Sequence, residues 1–292
     1  LKDPMVINYG MRIYPNKSTS GTVILGPGQS FDTNGLPPSF STGDLNADGK
    51  PDLAVANYIN LAILTNSSTA SAVAFDTPRD FAGAGQPQDV ALADFDSDGK
   101  PDAAVIYFQS NSVRTFRNIT DKNGIDFVTV NDFVTLDQPY DITAPDVDGD
   151  GRPDIVLTQL SSDRVSIFRN TTTNGVLTFS NRIDIGSGAG PRGVIFGDVN
   201  GDGKADMLVV NSYSNSFSLY QNTSVPGTIA FAGRVDISTG AFPQRAVFGD
   251  FDGDGKLDVA VSSYSGKAVS IHLNTTSALT VLSFTPATGT TG

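Results

Sequence analysis

DFDSDGKPD, running from Asp94 to Asp102, decides how the rest of the chain is read. Near copies stand at DLNADGKPD from Asp44, DVDGDGRPD from Asp146, DVNGDGKAD from Asp198 and DFDGDGKLD from Asp250, so successive starts lie 50, 52, 52 and 52 residues apart. Five copies in phase are an internal repeat, and a period of this size belongs to propellers, solenoids and arrays. Every copy carries side-chain oxygens at its first, third, fifth and ninth positions and glycine at its sixth.

That spacing is what a hard divalent cation needs. Ca²⁺ takes about 6–8 oxygen ligands, and alternating residues of a tight loop point to one side of it. The predicted ligands are Asp44, Asn46, Asp48 and Asp52; Asp94, Asp96, Asp98 and Asp102; Asp146, Asp148, Asp150 and Asp154; Asp198, Asn200, Asp202 and Asp206; and Asp250, Asp252, Asp254 and Asp258. The seventh residues, Lys50, Lys100, Arg152, Lys204 and Lys256, offer a backbone carbonyl. Gly49, Gly99, Gly151, Gly203 and Gly255 supply a left-handed turn. A lone acidic turn of this kind is as readily a solvated loop, but five in register are not. An EF-hand would close its loop with Glu at position twelve and flank it with helices. Here position twelve is Val55, Val105, Leu157, Val209 or Val261, inside runs such as LAVAN and AAVIY that read as strands.

Composition agrees with an all-β chain. All 31 acidic residues are Asp, and the absence of the helix former Glu beside 30 Gly argues against helices. The five motifs hold 18 of these Asp, so five bound Ca²⁺ would take the formal net charge from −12 to −2; the acidity is metal ligand rather than a polyanionic surface. No basic stripe offers itself to nucleic acid, and no run of eighteen apolar residues spans a membrane. Cysteine is absent, which removes disulfides and thiolate metal sites.

Each repeat reads as four strands: one leading into the motif, one leaving it, a third ending in Asn and a fourth around Phe or Val. Pro37, Pro87, Pro139, Pro191 and Pro243 recur seven residues before the motif, where a fixed φ suits a strand's first residue. Asn16, Asn66, Asn118, Asn170, Asn222 and Asn274 close the third strands, each starting an N-x-S/T triplet. Their phase favours a structural turn over glycosylation. Residues 1–18 match the second half of a repeat, which gives six blades of a β-propeller with the first lacking its inner strand.

DFDGDGKLD after RAVFG and DVNGDGKAD after GVIFG resemble the FG-GAP or VCBS repeats of integrin-α-type β-propellers, over almost the whole chain. The resemblance implies Ca²⁺ in the loop between the first two strands of a blade, an extracellular setting, a ligand on the opposite face and seven blades in many relatives. The tail LSFTPATGTTG from Leu282 is similar to the opening of an IPT/TIG module. The expected division is a propeller over 1–285 and a linker or following module over 286–292, within a longer bacterial surface or secreted protein.

Catalytic chemistry has little to stand on. The one histidine, His272, occupies a position held by Tyr14, Leu64, Phe116, Phe168 and Tyr220 in other repeats, which marks it as a packing residue and removes Ser-His-Asp and histidine-metal sites. A glycosidase pair would have to be built from Asp alone, for example Asp89, Asp137 or Asp141. Binding is the better reading: Tyr58, Tyr107, Tyr140, Arg192, Tyr213, Arg245 and Tyr264 fall in loops and strand starts away from the metal motifs, and such side chains suit protein or glycan recognition. The alternative is a carbohydrate-binding or polysaccharide-lyase-type propeller.

Overall fold

The computed structural model describes residues 5–7, 11–33, 35–275 and 284–287, with only the backbone described for the first and last of these stretches. The tail beyond Ala287 lies outside them, and with it most of the stretch similar to an IPT/TIG module. The chain divides into two compact units, residues 1–94 with 98–134, and residues 95–97 with 135–292.

The first unit holds three antiparallel sheets whose strands pair in chain order. They are β1 (Met5–Ile7), β2 (Met11–Ile13) and β3 (Gln29–Phe31); β4 (Ser39–Gly43), β5 (Asp52–Ala56), β6 (Asn60–Leu64) and β7 (Arg79–Ala82); and β8 (Pro87–Ala93), β9 (Asp102–Tyr107), β10 (Ser112–Asn118) and β11 (Phe127–Val134). The second unit holds three more: β12 (Pro139–Thr143), β13 (Ile155–Gln159), β14 (Arg164–Phe168) and β15 (Ile183–Gly186); β16 (Pro191–Gly197), β17 (Asp206–Asn211), β18 (Ser216–Tyr220) and β19 (Val235–Ser238); and β20 (Pro243–Gly249), β21 (Asp258–Ser263), β22 (Ala268–Asn274) and β23 (Phe284–Ala287). These six sheets are the repeated blades of an all-β propeller-type fold, and among the described residues the first has three strands, in line with the expected lack of an inner strand. Residues 284–287 join the last sheet beside β22.

The second strand of each four-stranded blade is mostly apolar and largely buried because it is covered on both faces. Leu53 and Val55 of β5 pack with Met11 and Ile13, while Ala54 and Ala56 join Leu61, Val90 and Val105 on the other side. In the second unit Met207 and Val209 of β17 meet Val156 and Ile167, and Leu208 and Val210 meet Val259 and Val261. Burying each such side chain contributes about 1.5–3 kcal/mol, so stacking of sheets rather than pairing within one is what holds a blade in place. Outermost strands such as β11 are largely exposed and carry the polar residues of their repeats.

His272 lies where the packing reading puts it. It is buried, its ring meets Phe217 edge-on at 5.2 Å, and Nε2 lies 3.1 Å from the Ser270 hydroxyl. Nδ1 is buried with no partner, and burial pushes the imidazole below its usual 6.5. The unfolded chain therefore takes up a proton that the folded chain resists, and stability is lost as pH falls below 6.5. His272→Phe is expected to fold normally, to lie within about 1 kcal/mol of the parent at pH 8, and to gain on it as pH drops to 5. Parallel urea titrations at the two pH values check this.

Candidate functional site

Each nonapeptide is the connection between the first and second strands of a four-stranded blade, and its backbone folds around its own carboxylates. Asp94 shows the pattern: Oδ1 accepts the N–H of Asp98 at 3.0 Å and Oδ2 that of Gly99 at 2.8 Å. Asp44, Asp146, Asp198 and Asp250 each accept the N–H of their own sixth-position glycine in the same way. The third residue then accepts from the fifth, as in Asn46 with Asp48 and Asn200 with Asp202, and the fifth accepts from the seventh in all five loops. Asn thus reproduces the Asp turn at the third position. These turns fix the side chains before any ion arrives, which is preorganisation.

Two positions of each loop are left-handed, and the sequence advertises only one plainly. The sixth-position glycines have φ between 83° and 87°. The fourth residue is also left-handed, as Ala47 at 59°, Ser97 at 61° and Gly149, Gly201 and Gly253 at 72°, 78° and 82°. Three glycines in that column were the available signal.

The ninth-position Asp does more than offer a ligand. In Asp154, Oδ2 accepts the N–H of Val147 at 2.9 Å and Oδ1 that of Asn170 at 2.7 Å, and the residue is fully buried. Asp52, Asp206 and Asp258 bind two N–H groups in the same way, and Asp102 accepts from Asn118. Burial pushes the Asp154 carboxyl up to about 7 and Asp206 up to about 6, and outweighs the two N–H bonds that favour the charged form. A cation in the loop would offset that cost.

Asp94, Asp96 and Asp102, then Asp146, Asp148 and Asp154, and then Asp250, Asp252 and Asp254 each bring carboxylate oxygens within 4.8 Å of one another. With oxygen donors only, these groups fit a hard divalent ion rather than a transition metal. Two loops carry built-in countercharge from the residue before the recurring Asn: Arg117 lies 3.7 Å from Asp98, and Arg169 lies 3.7 Å from Asp148 and 3.8 Å from Asp150.

Four of the six recurring Asn side chains are buried and fully hydrogen-bonded. Asn170 Oδ1 accepts the N–H of Thr172, while Nδ2 donates to the Pro153 carbonyl and to that of Phe95, which belongs to the same unit. Asn118, Asn222 and Asn274 are equally buried and donate in the same pattern. At these four positions the amide is enclosed in structure and not open to a glycosyltransferase in the folded chain, in line with the turn reading; Asn16 and Asn66 are only half-buried.

At the other end of the second unit's sheets, several of the expected binding residues meet. The Arg192 guanidinium carbon lies 4.7 Å from the Tyr140 ring centroid and 5.1 Å from that of Phe242, and Nη1 donates to the Tyr140 hydroxyl at 3.0 Å and to Gln244 at 3.4 Å. Phe242 continues to Tyr213 and Tyr264, with centroids 5.9 and 6.4 Å away, and these two tyrosines are 56% and 75% exposed. Arg245 forms an ion pair with Asp141, whose other oxygen accepts the Val194 N–H, so Asp141 is committed to structure. Tyr58 is exposed in the β5–β6 connection of the first unit. Tyr107 corrects the expectation: it is 0% exposed, burial pushes its phenol up, and a Cβ at Gly83 would come within 2.6 Å of its ring. It is a core residue at the end of a doubly covered strand.

Phe242 was missed by sequence reasoning. It takes φ +57° directly before Pro243, where a residue is normally extended, and its carbonyl accepts the Tyr264 N–H at 3.0 Å. Gln138 and Gly190 hold the matching places before Pro139 and Pro191, at +55° and +65°.

Comparison with known proteins follows the same lines. A family model described as an FG-GAP-like repeat matches residues 44–105, 94–157, 146–209 and 198–261, and one described as an FG-GAP repeat matches 242–282. No curated protein matches significantly. Among solved structures the chain is similar to a functionally unknown protein of Desulfotomaculum acetoxidans, at 15% identity and TM-score 0.61 over 94% of this chain and 75% of that one. A Lactobacillus plantarum protein matches at 13% identity and TM-score 0.61, over 95% and 77%. A proposed 6-phosphogluconolactonase of Bacteroides fragilis matches at 17% identity and TM-score 0.64, over 94% and 76%. At these identities the likeness concerns the fold.

Proposed function

Because the chain belongs to the FG-GAP repeat family, we propose that it is a calcium-stabilised binding module of a larger secreted or cell-surface protein, with its ligand held at the ends of the sheets opposite the metal loops. Repeats of this family are typical of extracellular proteins, and extracellular calcium is abundant enough to fill sites of modest affinity. Among the described residues no helix is long and apolar enough to cross a membrane.

The observation that carries the reading is the stack of Tyr140, Arg192 and Phe242. An L-residue in the left-handed region costs about 1–3 kcal/mol, and at this position the fold accepts glycine, as Gly190 shows. Phe at this position braces Arg192 and lies next to the exposed rings of Tyr213 and Tyr264. Rigid aromatics beside a held guanidinium form an anchor for a glycan or a protein loop.

A glycan array and a panel of matrix proteins, each probed with and without calcium, give the ligand. Phe242→Gly is expected to leave the fold intact, because glycine adopts that φ without strain, and both it and Arg192→Ala to weaken binding about tenfold or more. Binding unchanged in both variants moves the site elsewhere. Turnover that leaves unsaturated sugar ends makes the protein a lyase instead.

A further inference from the structure

Arg192 carries a charge that the fold does not neutralise. Most arginines of the chain pair with an Asp, Arg245 among them, but Arg192 has no acidic partner among the described residues. Asp141, which follows Tyr140 on β12, gives one oxygen to Arg245 and the other to the Val194 N–H. The guanidinium is held all the same: it stacks on Tyr140 and Phe242, Nη1 donates to the Tyr140 hydroxyl and to Gln244, and Nε is buried without a partner. These contacts leave Nη2 uncommitted. Tyr140, Arg192 and Gln244 form one column, each following the recurring proline that opens a first strand, and Gln88 stands at the same place in the first unit.

We propose that Arg192 receives a carboxylate, and that the ligand is a glycan of uronic acids whose sugar rings lie against Tyr213 and Tyr264. The proposal rests on the binding reading above and names its ligand class. A partly buried cation without a counterion is costly, and a carboxylate that arrives with the ligand offsets that cost. Stacking between two rings fixes the guanidinium plane beforehand, so little side-chain entropy is lost on binding. The two tyrosines supply the remaining surface. A Cβ on Gly190 would come within 2.5 Å of the Tyr213 ring, which is thus backed by the Gly190 main chain while it stays 56% exposed. Anchors for protein partners sit in desolvated pockets, whereas rings that stand out this far suit a sugar laid against them, with the phenolic hydroxyls left for its polar edge.

Calorimetric titration of the full chain in millimolar calcium with short oligosaccharides of hyaluronan, alginate and polygalacturonate, each beside its carboxyl-reduced neutral form, tests this. At least one acidic oligosaccharide is expected to bind, about tenfold or more tighter than its reduced form. Arg192→Gln installs the residue that Gln88 and Gln244 already place in this column, so it should fold, and it should bring the acidic affinity down to that of the reduced form. Tyr213→Ala and Tyr264→Ala should instead weaken both forms alike. Equal affinity for acidic and reduced forms, or an acidic preference kept in Arg192→Gln, overturns the carboxylate assignment while the binding module stands. Binding by none of the three oligosaccharides overturns the glycan, and if an acidic protein then binds and loses its hold in Arg192→Gln, the carboxylate belongs to a peptide. Binding by neither a glycan nor a protein overturns the binding reading itself.

Discussion

Stripping calcium with EGTA is expected to lower the melting temperature by about 15–25 °C without abolishing the folded state. The size follows from mass action: a site at ten times its dissociation constant contributes about 1.4 kcal/mol, five contribute about 7 kcal/mol, and a chain of this size shifts by about 2–4 °C per kcal/mol. Repulsion sets the direction. Four carboxylates are gathered in the loop from Asp94 to Asp102, where Arg117 brings countercharge to Asp98 at 3.7 Å. The fold persists because the loops are closed by their own Asp-to-backbone turns, which need no ion, and because the doubly covered strands behind them keep their apolar contacts. Calorimetric scans in millimolar calcium and in EGTA, with magnesium as the control, measure the shift. A melting temperature indifferent to EGTA removes calcium from the account of this protein.

Much of this was legible because the repeat converts residue identity into position. Five Asp-rich nonapeptides in phase located the loops, the apolar runs after them located the second strands, and the Asn columns located the ends of the third. What escaped depends on contacts between repeats. That Asn170 reaches Phe95 is a relation across 75 residues, and a periodic sequence does not say whether such a side chain bonds within its own repeat or to the one before. Tyr107 looked like a loop aromatic because it ends a strand, yet both faces of that strand are covered and the ring is enclosed. The left-handed turn at the fourth motif position hides behind Ala47 and Ser97, and Phe242 contradicts the usual extended preference before proline. Local propensity is overruled there by the turn that leads into the strand, as it is at Gln138 before Pro139.

Asp154→Ala is expected to cost about 3–5 kcal/mol, and to cost it in EGTA as well as in calcium. Were the ninth-position carboxylate only a metal ligand, its removal would matter only while metal is bound. Asp154, however, is wholly buried and takes the N–H groups of Val147 at 2.9 Å and Asn170 at 2.7 Å, closing the loop and joining it to the end of the third strand. Alanine strands both donors away from water, and each such orphan costs about 1–3 kcal/mol. Asparagine at 154 keeps one acceptor but turns an NH₂ toward the other donor, so Asp154→Asn should fall between alanine and the parent. The fifth-position Asp254 is the contrast: exposed, with its carboxylate held among the described residues by Lys256 through its backbone N–H and ammonium group, it should affect the melting temperature when calcium is present and leave it nearly unchanged in EGTA. Urea unfolding of the three variants with and without EGTA separates the roles. If Asp154→Ala behaves like Asp254→Ala, losing its penalty once calcium is gone, the ninth Asp is a ligand alone and the hydrogen bonds it accepts contribute nothing to holding the blade together.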